Sequence, residues 1–222
     1  MRKYICLLIA AYAVFFSLSC AAMTAGTLFD EYEPSAESFS DMEGYEWAAE
    51  AAENLNKAGI VSGVGKNMFM PERNVTRREF IKLVCGACAI TDSSASSSYT
   101  DVLPDDWSYI YVSSAKEAGM LDIYGSQSLE ADTVITREDM AYLAVKALEF
   151  TGTDLTAGES ALFPDDGEIS DYAKKAVYAL KSEKIINGRE NGGFDPQGCA
   201  SRAEAVKIIY GIYKIAKANY LQ

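Results

Sequence analysis

"VTRREF" occupies residues 75–80, "ITREDM" residues 135–140 and "ASRAEA" residues 200–205. Each stretch carries a hydroxyl residue, then an arginine, then an acid two places further on. Thr76 and Thr136 stand 60 residues apart, and Thr136 and Ser201 stand 65 apart. Other landmarks keep nearly the same steps. Trp47 recurs as Trp107 and Tyr172, Ile60 as Met120 and Ile185, and Asp41 as Asp101 and, one place short, Asp165. "KAGIVSG" (57–63) aligns with "EAGMLDI" (117–123) and "SEKIING" (182–188). "MFMP" (68–71) aligns with "SLEA" (128–131) and "GFDP" (193–196). The chain is a threefold internal repeat, and the repeat constrains the architecture before any single residue does.

Each copy reads as helix, loop, helix. Apolar residues at helical spacing place the first helices near 45–58, 105–118 and 170–183. Trp47, Ala48, Ala51, Ala52 and Leu55 form the stripe of the first. The second helices begin at the motif. Their stripes are Phe80, Leu83, Val84, Ala87; Met140, Leu143, Ala144, Ala147; and Ala205, Ile208, Ile209, Ile212. Between the helices lie turns rich in glycine, with Pro71 and Pro196, that cannot be helical. Serine-rich and polar linkers, 91–98 and 151–160, separate the copies. A two-helix unit of this size has a thin core, so the three are expected to pack together.

The ends differ. Residues 1–19 open with Arg2 and Lys3 and continue through "YICLLIAAYAVFF" (4–16), too short to span a bilayer and shaped like a secretory signal. "SLSC" (17–20) allows lipidation of Cys20; ordinary cleavage after Ala21 or Ala22 is the competing reading. Residues 20–38 read as an acidic flexible stalk. The net charge of −12 becomes −14 once Arg2 and Lys3 leave with the signal. With no basic tract and no histidine, nucleic acid is not an expected partner. Any anion must be read locally, because charges beyond ~8 Å are largely screened in physiological salt. "CGAC" (85–88) resembles a metal or redox pair. Its cysteines align with Val145 and Tyr210 and with Leu148 and Tyr213, which makes them buried packing residues. No cofactor or metal is expected.

The hydroxyl and acid of each motif form an N-cap: Thr76 with Glu79, Thr136 with Asp139, Ser201 with Glu204. The two ending in Glu fit a capping box and the third is a shorter version. The cap is worth roughly 1 kcal/mol. It does not explain Arg77, Arg137 and Arg202. A cation in the first turn opposes the helix dipole by a few tenths to ~1 kcal/mol. It calls for a partner: an acid of a neighbouring copy, or an external anion held jointly by the guanidinium and free helix N–H groups.

Residues 39–84 resemble a surface-layer homology (SLH) domain: an aromatic-x-Asp start, Trp and Ala in the first helix, "AGI-x-x-G", "F-x-P" and a "TRAE"-type motif. The resemblance extends over copies at 39–92, 99–150 and 162–217. It implies a mainly α fold, three helix-loop-helix repeats packed as a pseudo-trimer, a three-pronged spindle around a central helical bundle. It implies a non-catalytic cell-wall binding module on an exported, cell-surface protein, either simply secreted or lipidated at Cys20. The implied partner is secondary cell-wall polysaccharide, often pyruvylated, held in grooves between prongs with the help of Arg77, Arg137 and Arg202.

Trp47, Trp107 and Tyr172 are candidates to stack on sugar, although aromatics at helical spacing are first of all core. Gly63 and Gly188 allow close ligand approach or a positive φ. Ile123 replaces them in the second copy, which puts that copy's groove, and with it Arg137, in doubt. Asp41, Asp101 and Asp165 are further candidates, with capping and a solvated acidic face as the simpler reading. The competing function is a surface protein-protein assembly module whose motif arginines make inter-repeat salt bridges. No nucleophile elbow or histidine supports an enzyme.

Overall fold

A computed structural model describes residues 38–158 and 161–220. The signal, Cys20 and the stalk up to residue 37 lie outside the described residues. The described chain is mainly helical. Its helices are α1 (Glu46–Lys57), α2 (Arg77–Ala87), α3 (Tyr109–Glu117), α4 (Arg137–Phe150), α5 (Asp171–Ser182) and α6 (Arg202–Tyr220), with a 3-10 turn at Asp166–Glu168. The stripes of the second helices are buried throughout, from Phe80 to Ile212.

Within one copy the two helices do not pack on each other. The first helix of each copy lies on the second helix of the copy before it: α3 on α2, α5 on α4 and, closing the circle, α1 on α6. The three second helices, α2, α4 and α6, also pack together. Ala48, Ala51 and Ala52 are buried against this surface, and their small size lets α1 approach α6 closely. Trp47 is not part of that stripe.

The motifs meet backbone to backbone. Val75 N–H donates to Ala200 O (3.0 Å), Ala200 N–H to Ile135 O (3.2 Å) and Ile135 N–H to Val75 O (2.9 Å), a closed circuit. From it each helix start leans on the loop of the next copy. Arg77 and Arg78 N–H donate to Thr133 and Ala131 O; Arg137 and Glu138 N–H to Gly198 and Pro196 O; Arg202 and Ala203 N–H to Arg73 and Pro71 O. The third amide of each helix goes to the cap hydroxyl, of Thr76, Thr136 or Ser201. Glu79 and Glu204 in turn accept from Thr76 N–H and Ser201 N–H, completing capping boxes. The motif is therefore also an inter-copy joint, and its helix amides are all taken. The expectation of free N–H groups for an external anion does not hold.

Two details depart from the periodic reading. Helix α3 starts at Tyr109, not near 105. Asp106 accepts Ser108 N–H and Oγ–H and holds an Asx-type turn ahead of the helix. The serine run at 91–98 lies along α3, with Asp92 N–H bonded to Ser114 Oγ (2.9 Å) and Ala95 buried.

Cys85 and Cys88 are buried free thiols in and after α2, and burial pushes both up to about 12. Cys199 is exposed. Near pH 8 a thiol reagent should modify Cys199 rapidly and leave Cys85 and Cys88 untouched until the protein is unfolded. Replacing either buried thiol by alanine should cost on the order of 1 kcal/mol in urea unfolding. Rapid native-state labelling of Cys85 or Cys88 would contradict the packing role.

Candidate functional site

Three loop corners repeat one geometry. Met70, Glu130 and Asp195 occupy equivalent positions and all have positive φ (59°, 52° and 59°), a left-handed conformation that costs a side-chain-bearing residue roughly 1–2 kcal/mol. Each corner is held from both sides. Asp41 accepts the amides of Phe69 and Met70 (both 2.7 Å), Asp101 those of Leu129 and Ala131, and Asp165 those of Phe194 and Asp195. From the previous copy, the motif arginine donates to the carbonyl just before the corner. Arg77 Nη1 reaches Leu129 O (2.9 Å), Arg137 Nε reaches Phe194 O (2.8 Å) and Arg202 Nε reaches Phe69 O (2.9 Å).

The arginines thus have internal partners. Arg137 also pairs with Glu204 and lies over the Phe194 ring; Arg77 pairs with Glu130 (2.9 Å) and lies over Tyr124; Arg202 donates to Ser62 O (3.1 Å) and lies over Phe69. A charge-assisted bond is worth roughly 1.5–3 kcal/mol, which outweighs the dipole cost of about 1 kcal/mol or less. A stability-neutral arginine, as the dipole alone suggests, is not what this geometry allows.

The Arg137 and Arg202 grooves each draw on all three copies. The loop and second-helix acid come from one copy, the arginine from the copy before, and the aromatic from the copy after. Arg137, Trp47, Gly188 and Glu204 line a cavity of ≈ 750 Å³. Arg202, Trp107, Ser62 and Glu79 line one of ≈ 260 Å³. Arg77 lies with Ile123 and Tyr124 along a loop-lined depression of ≈ 470 Å³ that does not include Tyr172. The sequence reading paired each arginine with its own copy's loop. Ile123 instead shares its depression with Arg77, and Arg137 shares its groove with Gly188.

The Arg77 groove is occupied by its own side chains. Tyr124 Oη donates to Asp139 Oδ2 (3.0 Å), and Tyr172 Oη sits 2.6 Å from Asp139 Oδ1 and 3.0 Å from Glu138 Oε1. Tyr142 meets Tyr172 edge-on at 5.6 Å. Arg77 Nε is buried without a hydrogen-bond partner. In the Arg137 groove the residue equivalent to Tyr124 is Arg189, which donates to Glu204 Oε1 (2.7 Å) beside Arg137. Periodicity did not signal Arg189; aligning it with Val64 and Tyr124 shows that only the third copy has a cation there.

The aromatics also differ from the core reading. Trp47 is 47%, Trp107 53% and Tyr172 40% exposed. Gly63 and Gly188 do not have positive φ. A Cβ on Gly63 would meet Met68 O at 2.9 Å, and one on Gly188 would meet Gly192 O at 2.8 Å, so close approach within their own loops demands glycine.

Partial burial raises the carboxyls of Asp41, Asp101 and Asp165, but the loop amides outweigh it and all three lie below their ordinary value. A carboxyl lowered by folding contributes stability that is present above its unfolded pKa, about 3.9, and is lost as pH falls through the folded value. Asp101→Asn should lower the thermal midpoint at pH 7, and the gap to wild type should narrow below about pH 4. A gap independent of pH would contradict this. Arg137→Ala should cost about 2–3 kcal/mol in urea unfolding.

Three segments, 38–81, 98–141 and 162–206, match the S-layer homology domain. The chain is 35% identical over 167 residues to an amylopullulanase of Thermoanaerobacterium thermosulfurigenes, covering 75% of this chain and 9% of that protein. It is 34% identical over 176 residues to exoglucanase XynX of Acetivibrio thermocellus, covering 79% and 16%. A cellulosome-anchoring protein of Acetivibrio thermocellus is 27% identical over 161 residues, covering 68% and 35%. The chain spans no more than about a third of the length of these relatives. Helix starts, loop corners and matched segments coincide copy by copy, and the chain belongs to the S-layer homology domain family.

Proposed function

We propose that the protein is a non-catalytic cell-surface anchoring module that binds secondary cell-wall polysaccharide through carboxylate groups of the pyruvyl type. The observation that carries this reading is the ≈ 750 Å³ groove, in which exposed Trp47 faces Arg137 and Arg189. Guanidinium forks suit a carboxylate, and an exposed indole suits a sugar face. The name of the cellulosome-anchoring relative agrees with it. Arg137 and Trp47 are the principal ligand residues, with Gly188 shaping the loop. Arg202 and Trp107 form a smaller second site. Arg77 lies over Tyr124 in a depression that Tyr172 does not line, and Tyr172 is taken up by Glu138 and Asp139, which makes both lesser ligand candidates. Asp41, Asp101 and Asp165 act on the ligand through the corners they hold, and Gly63 through its loop. The protein is exported; a diacylglyceryl Cys20, as against a free Ala22 or Met23 terminus, would show up in the mass of the mature N-terminus.

The Arg77–Glu130 and Arg137–Glu204 pairs favour a second reading, an assembly module in which the arginines serve only to join copies. Co-sedimentation with cell-wall sacculi, before and after removal of their secondary polymer, separates the two. Trp47→Ala should weaken binding about three- to tenfold with an unchanged thermal midpoint, since the indole is exposed. Tyr124→Val should leave binding in the Arg137 groove intact and raise the number of sites. Undiminished binding by Trp47→Ala, or binding that survives polymer removal, would favour the assembly reading.

A further inference from the structure

The Arg137 groove does not end at Trp47. A second cavity of ≈ 380 Å³ adjoins it between α1 and α6, sharing Trp47, Ile185 and Lys207. Lys184 and Lys214 line this trough and are exposed, with Tyr210 in its wall. Lys207 stands at the junction. In a chain of net charge −12, three ammonium groups here face two carboxylates, Glu50 and Glu183. Glu50 accepts the Tyr210 hydroxyl (3.3 Å), and Lys214 lies over the Tyr210 ring at 4.7 Å.

Two of the trough's lysines, Lys184 and Lys214, are peculiar to the third copy. Lys214 aligns with Ala89 and Glu149, and Lys207 with Lys82 and Tyr142. Lys184 aligns with Gly59 and Gly119, which have φ of 70° and 68°. Lys184 keeps the same left-handed conformation, φ 58°, without glycine's freedom. A side chain held in a strained backbone where two sister copies use glycine points to a role outside folding.

We propose that the trough is a second subsite for the same polymer, taking the next acidic unit of a glycan whose first carboxylate is held at Arg137 and Arg189. The proposal rests on the anchoring function above. It assigns to the α1–α6 face a ligand class: an extended acidic polysaccharide with at least two anionic units, aligned along Trp47 and Tyr210. Attraction there is lysine-based and screened by salt, so the trough adds affinity for length more than for the terminal sugar.

The test uses secondary wall polymer released from sacculi and size-fractionated into single repeating units and longer fragments. Wild type should bind long fragments more tightly, with the advantage shrinking at high salt. The Lys184→Gly/Lys214→Gln double variant should bind the single unit as wild type does and lose about four- to twenty-five-fold for long fragments, at two- to fivefold per lysine. Lys184→Gly alone should raise the thermal midpoint, because it relieves the strained φ. An unchanged preference for length in the double variant, a wild type indifferent to length, or a lowered midpoint for Lys184→Gly would each overturn the subsite. Full single-unit binding by Trp47→Ala would instead overturn the groove reading itself.

Discussion

The structure depends on a backbone corner that no copy can hold alone. Met70, Glu130 and Asp195 sit in a left-handed conformation that each costs roughly 1–2 kcal/mol. An aspartate of the same copy holds the corner's amides. An arginine of the previous copy holds the carbonyl before it. The aspartate half is local. The arginine half exists only when the neighbouring helix start is in place, and that start in turn donates its first two amides into the same loop. Loop shape and inter-copy packing are therefore one event, and the circuit Val75–Ala200–Ile135 makes it threefold.

The helix exchange follows from the same closure. A first helix packed on its own partner would leave each copy a two-helix unit with a thin core. Packed on the preceding copy's second helix, it ties two copies together and leaves the three second helices facing one another. Ala48, Ala51 and Ala52 serve this better than larger residues, because the alanine face of α1 lets α6 approach. The same exchange brings Trp47 of the first copy beside Arg137 of the second and Gly188 of the third. The groove is thus a product of the packing order.

Much of this was legible in the sequence. The offsets of 60 and 65 located every copy, the i, i+3, i+4 stripes found the buried faces, and hydroxyl-x-x-acid marked the helix starts. Packing order was not legible, because an apolar stripe states that a face is buried and not against what. The error about Arg137 came from this: Arg137 and Ile123 share a copy but not a groove. Trp47 misled for a related reason. It lies one residue from Ala48 at the edge of the stripe, where helical spacing alone does not separate core from rim. The two glycines were read as room for close ligand approach and a positive φ, whereas loop atoms 2.8–2.9 Å from a would-be Cβ impose them.

Comparison among the three copies separates what closure demands from what it leaves open. The cap hydroxyl, the arginine, the corner and the opening aspartate occur in all three, because a circuit with one defective joint is not closed. The groove-lining positions have no such constraint. Val64, Tyr124 and Arg189 are equivalent, as are Gly59, Gly119 and Lys184. At the first position the three choices put no polar group in one loop, a phenol bonded to Asp139 in the second and a second guanidinium in the third. A chain that closes symmetrically can therefore present unequal surfaces at no cost to its joints. The copy that concentrates Lys184, Arg189, Lys207 and Lys214 presents a local basic site on an otherwise acidic molecule. Beyond a Debye length of about 8 Å the acidic surroundings are screened. Inside the groove the arrangement of these few cations, and not the net charge of the chain, sets the local potential.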